Sequence, residues 1–399
     1  MLDFNKLARQ MEGISQHLQD EATATQKRLN RARETLAQAS DRLDELISSY
    51  EQWSNHFGFN AAFPIEPLDT VVDIQNAPQV HTVISTDGSQ MAPSHHEIAY
   101  CYLINTGRVV FYYGQNRAAI LDSLPEAFYR QEDLYVSRQW GIRTDEWMAY
   151  QRTVSEAVVL AELGVRVATE TQGELDEQLP ALAMVDGSLI YWHLEPLPGG
   201  ARDRLLPPIL DAWETLQHHR IPLVGYLSSS RSGEALNFLR LAHCPHPEPN
   251  CMAHCGGQTD KAPCQVLHPL RDSSVLGGWL KPGQRSGLWR SSARILEQYR
   301  EQVVYFCYLH VGKEIARVEF PQWVVEDAQL LEQALSFTLA QVAKGYGYPI
   351  ALSEAHNQAV VRGGDRHRFF LLLEQQMIKA GLKNIGTSYK EARKRGSIA

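Results

Sequence analysis

Long hydrophobic runs are missing from this 399-residue chain. The longest, such as Val303–Leu309, fall far short of the roughly 20 residues that cross a bilayer, so no membrane partner is expected. Residues 1–20 carry Asp3, Glu12 and Asp20 and lack an apolar core, which argues against a secretory signal and for a cytoplasmic location. An excess of positive charge is missing too. Lys and Arg number 38 against 46 Asp and Glu, a net charge of −8. That excludes coating a nucleic acid by bulk charge, so any polyanion must be held by a local basic patch. Cysteine is scarce, six in all, too few for a disulfide scaffold. Proline is absent from the first 50 residues, and glycine is confined there to Gly13. What remains is an ordinary globular mixture, 44% apolar and 21% charged, which excludes wholesale disorder.

The first segment, residues 1–55, carries heptads. Leu29, Leu36, Leu43 and Tyr50 form one seam; Ala32, Ala39 and Leu46 form the other. The pattern fits either a coiled coil or a long amphipathic helix folded on its own domain. Pro64, Pro67 and Pro78 mark a linker, and a domain is expected over residues 78–385. It opens with the β-type run Val80–Thr86, followed by Ile98–Ile104 and Arg108–Tyr113, joined through Asn105-Thr106-Gly107 as a hairpin. A helix over Asp145–Val167, a strand at Ala181–Val185, a helix over Leu205–His218 and a strand at Pro222–Leu227 come next. Three antiparallel strands followed by parallel strand–helix–strand units give an α/β, ribonuclease H-like mixed sheet flanked by helices. Gln302–Leu309 and Ala316–Glu319 read as a strand pair, and helices are expected near Glu326–Lys344 and Asp365–Ala380. A basic tail, residues 386–399, closes the chain.

The tripeptide Asp-Gly-Ser occurs twice, at Asp87-Gly88-Ser89 and Asp186-Gly187-Ser188, each directly after an apolar strand. Either copy alone fits a plain turn. Placed at strands one and four of this topology, which are neighbours, the pair would set two carboxylates side by side. Such carboxylates stay ionised together only with a cation between them, and oxygen donors suit Mn²⁺ or Mg²⁺. Two such ions would clamp the attacking water and the leaving oxygen of a phosphodiester. Glu156 or Glu162, both on the intervening helix, would supply a third acid, and Arg152 stands one turn before Glu156 to hold its carboxylate or a phosphate. His356, read at the end of a strand-like stretch, would serve as ligand or proton donor.

These residues resemble the NurA nucleases, metal-dependent enzymes that process DNA ends together with the hexameric HerA translocase. The likeness rests on Thr86-Asp87-Gly88-Ser89-Gln90, Val185-Asp186-Gly187-Ser188-Leu189, Gly225-Tyr226-Leu227-Ser228-Ser229 and Tyr348-Pro349 through Ala355-His356. It implies a Mn²⁺-dependent nuclease acting on single-stranded DNA and duplex ends, a homodimer, and a HerA-like ATPase as partner. By position it makes Asp87, Asp186 and Glu156 metal ligands and brings Tyr226 and His356 to the site. Where the family often has a lysine after the fifth strand, this chain reads Ser228-Ser229-Ser230-Arg231, and Arg231 would replace it at a phosphate.

Four cysteines, Cys244, Cys251, Cys255 and Cys264, crowd into an insertion at about residues 243–268 with His246, His254 and His268 among them. They fit a structural Zn²⁺ or iron–sulfur site, or a loop without metal. Downstream, Arg271, Lys281, Arg285, Arg290 and Arg294 alternate with Trp279 and Trp289, a mixture that suits single-stranded DNA or a solvated loop over two core tryptophans. Three functions compete: a two-metal DNA nuclease, a non-catalytic adaptor at DNA ends or a translocase, and a ribonuclease H-like enzyme acting on RNA.

Overall fold

A computed structural model describes residues 3–93, 97, 99–171 and 179–381. The expected tail over 386–399 lies outside the described residues. Two compact units divide the chain. The first comprises Met1–Ile74, Tyr226–Leu296 and Val303–Gln322; the second comprises Gln75–Gly225, Glu297–Gln302 and Trp323–Ala399. Among the described residues no helix is long and apolar enough to cross a membrane.

In the first unit the heptad stripe is folded onto its own core. Phe4–Asp41 and Leu43–Trp53 are two helices separated at Arg42, rather than one rod. Ala32, Leu36, Ala39, Leu46 and Tyr50 are buried with Phe238, Leu276 and Trp289. Strands Val304–His310 and Ile315–Pro321 pair antiparallel, close to the strand pair expected at Gln302–Leu309 and Ala316–Glu319.

The second unit is the mixed sheet. Its strands are β1 (His81–Met91), β2 (Tyr102–Tyr113), β3 (Ile120–Phe128), β4 (Ala181–Asp186) and β5, which opens at Leu223. Its main helices are α1 (Thr144–Thr171), α2 (Gly199–His218), α3 (Ala328–Lys344), α4 (Ile350–Ala359) and α5 (Gly363–Lys379). The strand order is β5-β4-β1-β2-β3. β1–β2 and β2–β3 are antiparallel, and β4 runs parallel to β1. This is the ribonuclease H-like arrangement, a mixed α/β sheet flanked by helices.

The hairpin expected at Asn105-Thr106-Gly107 is not there. These three residues sit in the middle of β2, and the third antiparallel strand is Ile120–Phe128 instead. Helix α4 explains their turn-like character. The Asn105 side-chain amide donates to the carbonyl of Ala359 at 2.7 Å, at the end of that helix. A Cβ on Gly107 would stand 2.3 Å from the Ala355 carbonyl oxygen and 2.5 Å from the Ala359 nitrogen. The helix therefore rests on bare strand backbone. Gly107→Ala is expected to destabilise the protein by about 1–3 kcal/mol, because only backbone could move to make room. Thermal melting of the variant checks this; an unchanged midpoint would mean that α4 shifts at no cost.

Candidate active site

The register of β1 and β4 places the two aspartates. Their last parallel pair is Thr86 with Val185, so Asp87 and Asp186 follow at adjacent positions. β4 ends at Asp186, whereas β1 runs on through Asp-Gly-Ser to Met91, paired with β2. The expectation that β1 stops before Asp87 is corrected by that extension. Adjacent strands lie about 4.8 Å apart, so the carboxylates share one edge.

Each residue of the first Asp-Gly-Ser has a task. Asp87 Oδ2 lies 2.8 Å from His356 Nδ1. Gly88 leaves room for a carboxylate: a Cβ there would meet Glu156 Oε1 at 2.4 Å and Arg152 Cγ at 2.6 Å. The Ser89 hydroxyl donates to the carbonyl of Ala359, and the Val361 N–H donates to the Ser89 oxygen at 3.2 Å. The tripeptide thus binds α4 to the sheet at the point where His356 meets Asp87. That histidine is helical, not at the end of a strand-like stretch; Pro349 stands at the N-cap of its helix, where a missing N–H costs no helical hydrogen bond.

Helix α1 brings the third acid. Trp147, Met148, Leu160, Leu163 and Val167 are buried, and Asp145 and Glu146 sit favourably in its first turn. The Thr86 hydroxyl donates to the Glu156 carbonyl at 2.9 Å, which ties the helix to β1 beside Asp87. Burial, ahead of the charges of Asp87 and Asp186, pushes the Glu156 carboxyl up to about 7, against the attraction of Arg152 and a Gly88 N–H. Arg152 Nε stands 3.2 Å from Glu156 Oε1. Of the two glutamates left open by the sequence, Glu156 is the one that lies beside Asp87 and Asp186. Glu162 is exposed and borders a separate recess with Val158, Pro208 and Asp211, since six residues of helix turn a side chain well away.

Partial loss of water raises the Asp186 carboxyl, with the Asp87 charge adding to it; a hydrogen bond from Tyr348 and the nearby His356 work the other way. Beside these acids lies a recess of about 270 Å³ lined by Arg152, Glu156, Asp186, Ser188, Tyr191 and His193. Burial, then Arg152, lowers the basicity of His193, whose ring stacks on Tyr150 at 5.5 Å. Neither His193 nor Tyr348's contact with Asp186 was legible in the sequence. Their spacing to the acids is set by tertiary folding alone.

Chemically, the set suits a divalent cation. It offers three carboxylates, and burial together with their mutual repulsion leaves Glu156 and Asp186 short of positive charge. As they stand, no three His, Cys, Asp or Glu side chains among the described residues close into a metal cage. Asp87 is engaged by His356, Glu156 by Arg152 and Asp186 by Tyr348. A family model described as the NurA domain matches residues 81–361. The chain belongs to the NurA family.

Solved structures include similar ones. The NurA nuclease from Sulfolobus solfataricus shares 13% identity over 92% of this chain and 98% of its own, with a TM-score of 0.45. A second NurA crystal structure shares 12% over 92% and 97%, with a TM-score of 0.36. LC9-RNase H1, a type 1 RNase H, shares 9% over 42% and 72%, at 0.21. No curated protein matches the chain.

In this NurA-family chain, the other expected site residues count with the first unit. Tyr226 counts with the first unit, is fully buried, and donates its hydroxyl to Glu314 at 3.1 Å. Trp289 is 2% exposed and packs edge-on against Phe238, so it cannot stack on a base. Trp279 packs on the same core. Arg285 is buried and committed to Glu66 at 2.6 Å, and Arg290 lies over the Phe63 ring. The tryptophans and Arg285 of the basic–aromatic stripe are therefore structural, whereas Arg271, Lys281, Arg290 and Arg294 are exposed. Arg231 is exposed at a recess with Asn237, Arg240 and Arg271, also in the first unit.

Proposed function

We propose that this protein is a Mn²⁺- or Mg²⁺-dependent nuclease that cleaves single-stranded DNA and duplex ends. The observation that carries the reading is the convergence of Asp87, Asp186 and Glu156 at one sheet edge within a NurA domain. Asp87, Asp186 and Glu156 would hold a pair of divalent ions, which when bound supply an activated water and neutralise charge on the phosphodiester. The protein's own groups do the rest. Asp87 accepts the Nδ1–H of His356 and so fixes the ring's orientation and tautomer. That leaves Nε2, on a side chain 65% exposed, free to take up a proton from solvent and pass it, from the imidazolium, to the leaving oxygen. Arg152, partly exposed beside the recess, steers a phosphate toward the acids. The stacked Tyr150–His193 pair flanks Arg152 and offers an aromatic surface near the scissile strand.

The same reading includes 5′–3′ end processing in DNA repair, a HerA-like hexameric ATPase, a second copy of the chain and a cytoplasmic location. Glu156→Gln is expected to lower cleavage about 10²–10³-fold while leaving the helix in place. The test incubates end-labelled single-stranded DNA, and RNA of the same sequence, with the protein and Mn²⁺, with and without chelator. Cleavage of the DNA that stops with chelator supports the proposal. Cleavage of the RNA alone would move the substrate assignment, and chelator-resistant cleavage would refute the metal dependence. If neither strand is cut, the assay is repeated with the hexameric ATPase added.

A further inference from the structure

The first unit gathers chemistry that the nuclease reading leaves unused. Cys251 and Cys255 open and close a one-turn helix, four residues apart and hence on one face of it. The Asn250 side chain caps that turn by accepting the Ala253 N–H at 3.0 Å. Cys244 follows the short helix Arg240–His243, and Cys264 lies beyond the turn at Thr259–Lys261. All four are free thiols, and Cys251 and Cys264 are buried. They also neighbour one another: Cys244 lies near Cys264, Cys251 and Cys255, and Cys255 lies near Cys251 and Cys264.

Arg240 is the second observation. It is 3% exposed, and its guanidinium meets a carbonyl, a thiol and a ring rather than a carboxylate. Its Nη2 donates to the Thr259 carbonyl at 2.9 Å and points at Cys264 Sγ, 3.6 Å away. Its Nε has no acceptor, and its guanidinium lies over the Phe59 ring at 3.7 Å. A buried cation without a counter-anion is costly, and four neutral thiols do not supply one.

We propose that Cys244, Cys251, Cys255 and Cys264 bind a soft metal centre as thiolates, with Arg240 as its buried counter-cation. For zinc the balance is four thiols plus Zn²⁺ giving a tetrathiolate of charge −2 and four released protons, which Arg240 partly offsets. A four-iron, four-sulfide cluster on the same thiolates presents similar chemistry. The thiols as arranged do not yet close on one point, so binding draws residues 244–264 inward. His243 couples that movement to the long helix, its Nε2 lying 2.7 Å from the Thr35 hydroxyl.

The experiment uses the full chain, purified without chelator and then offered either Zn²⁺ or, anaerobically, ferric iron with sulfide and a thiol reductant. Metal and sulfide are counted per chain, and the four thiols are titrated with a chromogenic disulfide. About one zinc, or about four irons with matching sulfide and visible absorption, is the expected content, with the thiols blocked until unfolding. The two arms tell zinc from cluster. Cys255→Ser, at a partly exposed position, is expected to lose metal to a chelator at least tenfold faster with unchanged circular dichroism, and Arg240→Met to weaken retention in the same direction. Should Arg240→Met unfold, the serine variant carries the test. Retention of neither metal would overturn the proposal, as would full retention by Cys255→Ser.

Discussion

Asp186→Asn is expected to lower Mn²⁺-dependent cleavage of single-stranded DNA by about 10³-fold or more, without lowering the melting temperature. The two halves of that result have separate causes. Asparagine keeps the shape and one oxygen of the side chain but removes the negative charge that holds a cation, and groups that act as one catalytic unit fail together. Stability moves the other way. Asp186 pays for its position in lost water and in repulsion from Asp87, both of which raise its carboxyl, and the neutral amide escapes both. A gel assay with end-labelled DNA and a thermal melt, run on the same preparations, measure the pair. A variant that melts early and cuts slowly would make Asp186 a structural residue.

The second large effect belongs to the first unit. Arg317 is fully buried, with Nε 2.7 Å from Glu319 and Nη1 3.0 Å from Glu234, and its guanidinium lies 3.6 Å from the centre of the Phe306 ring. Glu319 is itself fully buried, and Glu234 also accepts the Ser291 hydroxyl at 2.6 Å. Arg317→Met fills most of the volume but leaves two carboxylates buried without their cation. The expected cost is about 3–5 kcal/mol, the range for breaking one side of a buried ion pair. Urea denaturation reads it as a fall in midpoint. Adding Glu319→Gln to Arg317→Met is expected to recover part of the loss, since one stranded charge disappears. If the double variant is no more stable than the single one, the network contributes packing rather than charge pairing.

The order of strands and helices in the second unit was legible because each buried strand is a short apolar run ended by a polar break. The pair of aspartates was legible for the same reason: the motif repeats, and the topology makes its two copies neighbours. Residues 102–113 misled because Asn105 and Gly107 look like a turn, whereas they are a polar and a bare place on a strand where α4 lies. The stretch around His356 misled likewise, since Ile350–Ala359 is apolar enough for a strand and only Pro349 marks its start as a helix. For the tryptophans base stacking and core packing both stayed open, because sequence shows an aromatic beside an arginine, not which of them is buried. Trp289 and Arg285 both went inward, one to Phe238 and the other to Glu66.

The heptad stripe of the N-terminal helices has a consequence for synthesis. Ala32, Leu36, Leu46 and Tyr50 are covered by Phe238, Leu276 and Trp289, residues that leave the ribosome much later. At about 5–20 residues per second, roughly 200 intervening residues hold that stripe uncovered for about 10–40 seconds. The strands and helices from Gln75 onward emerge during that wait and can form contacts among themselves first. A nascent chain stalled before Phe238 would therefore display a sticky helix beside a partly built sheet, the kind of surface that chaperones recognise.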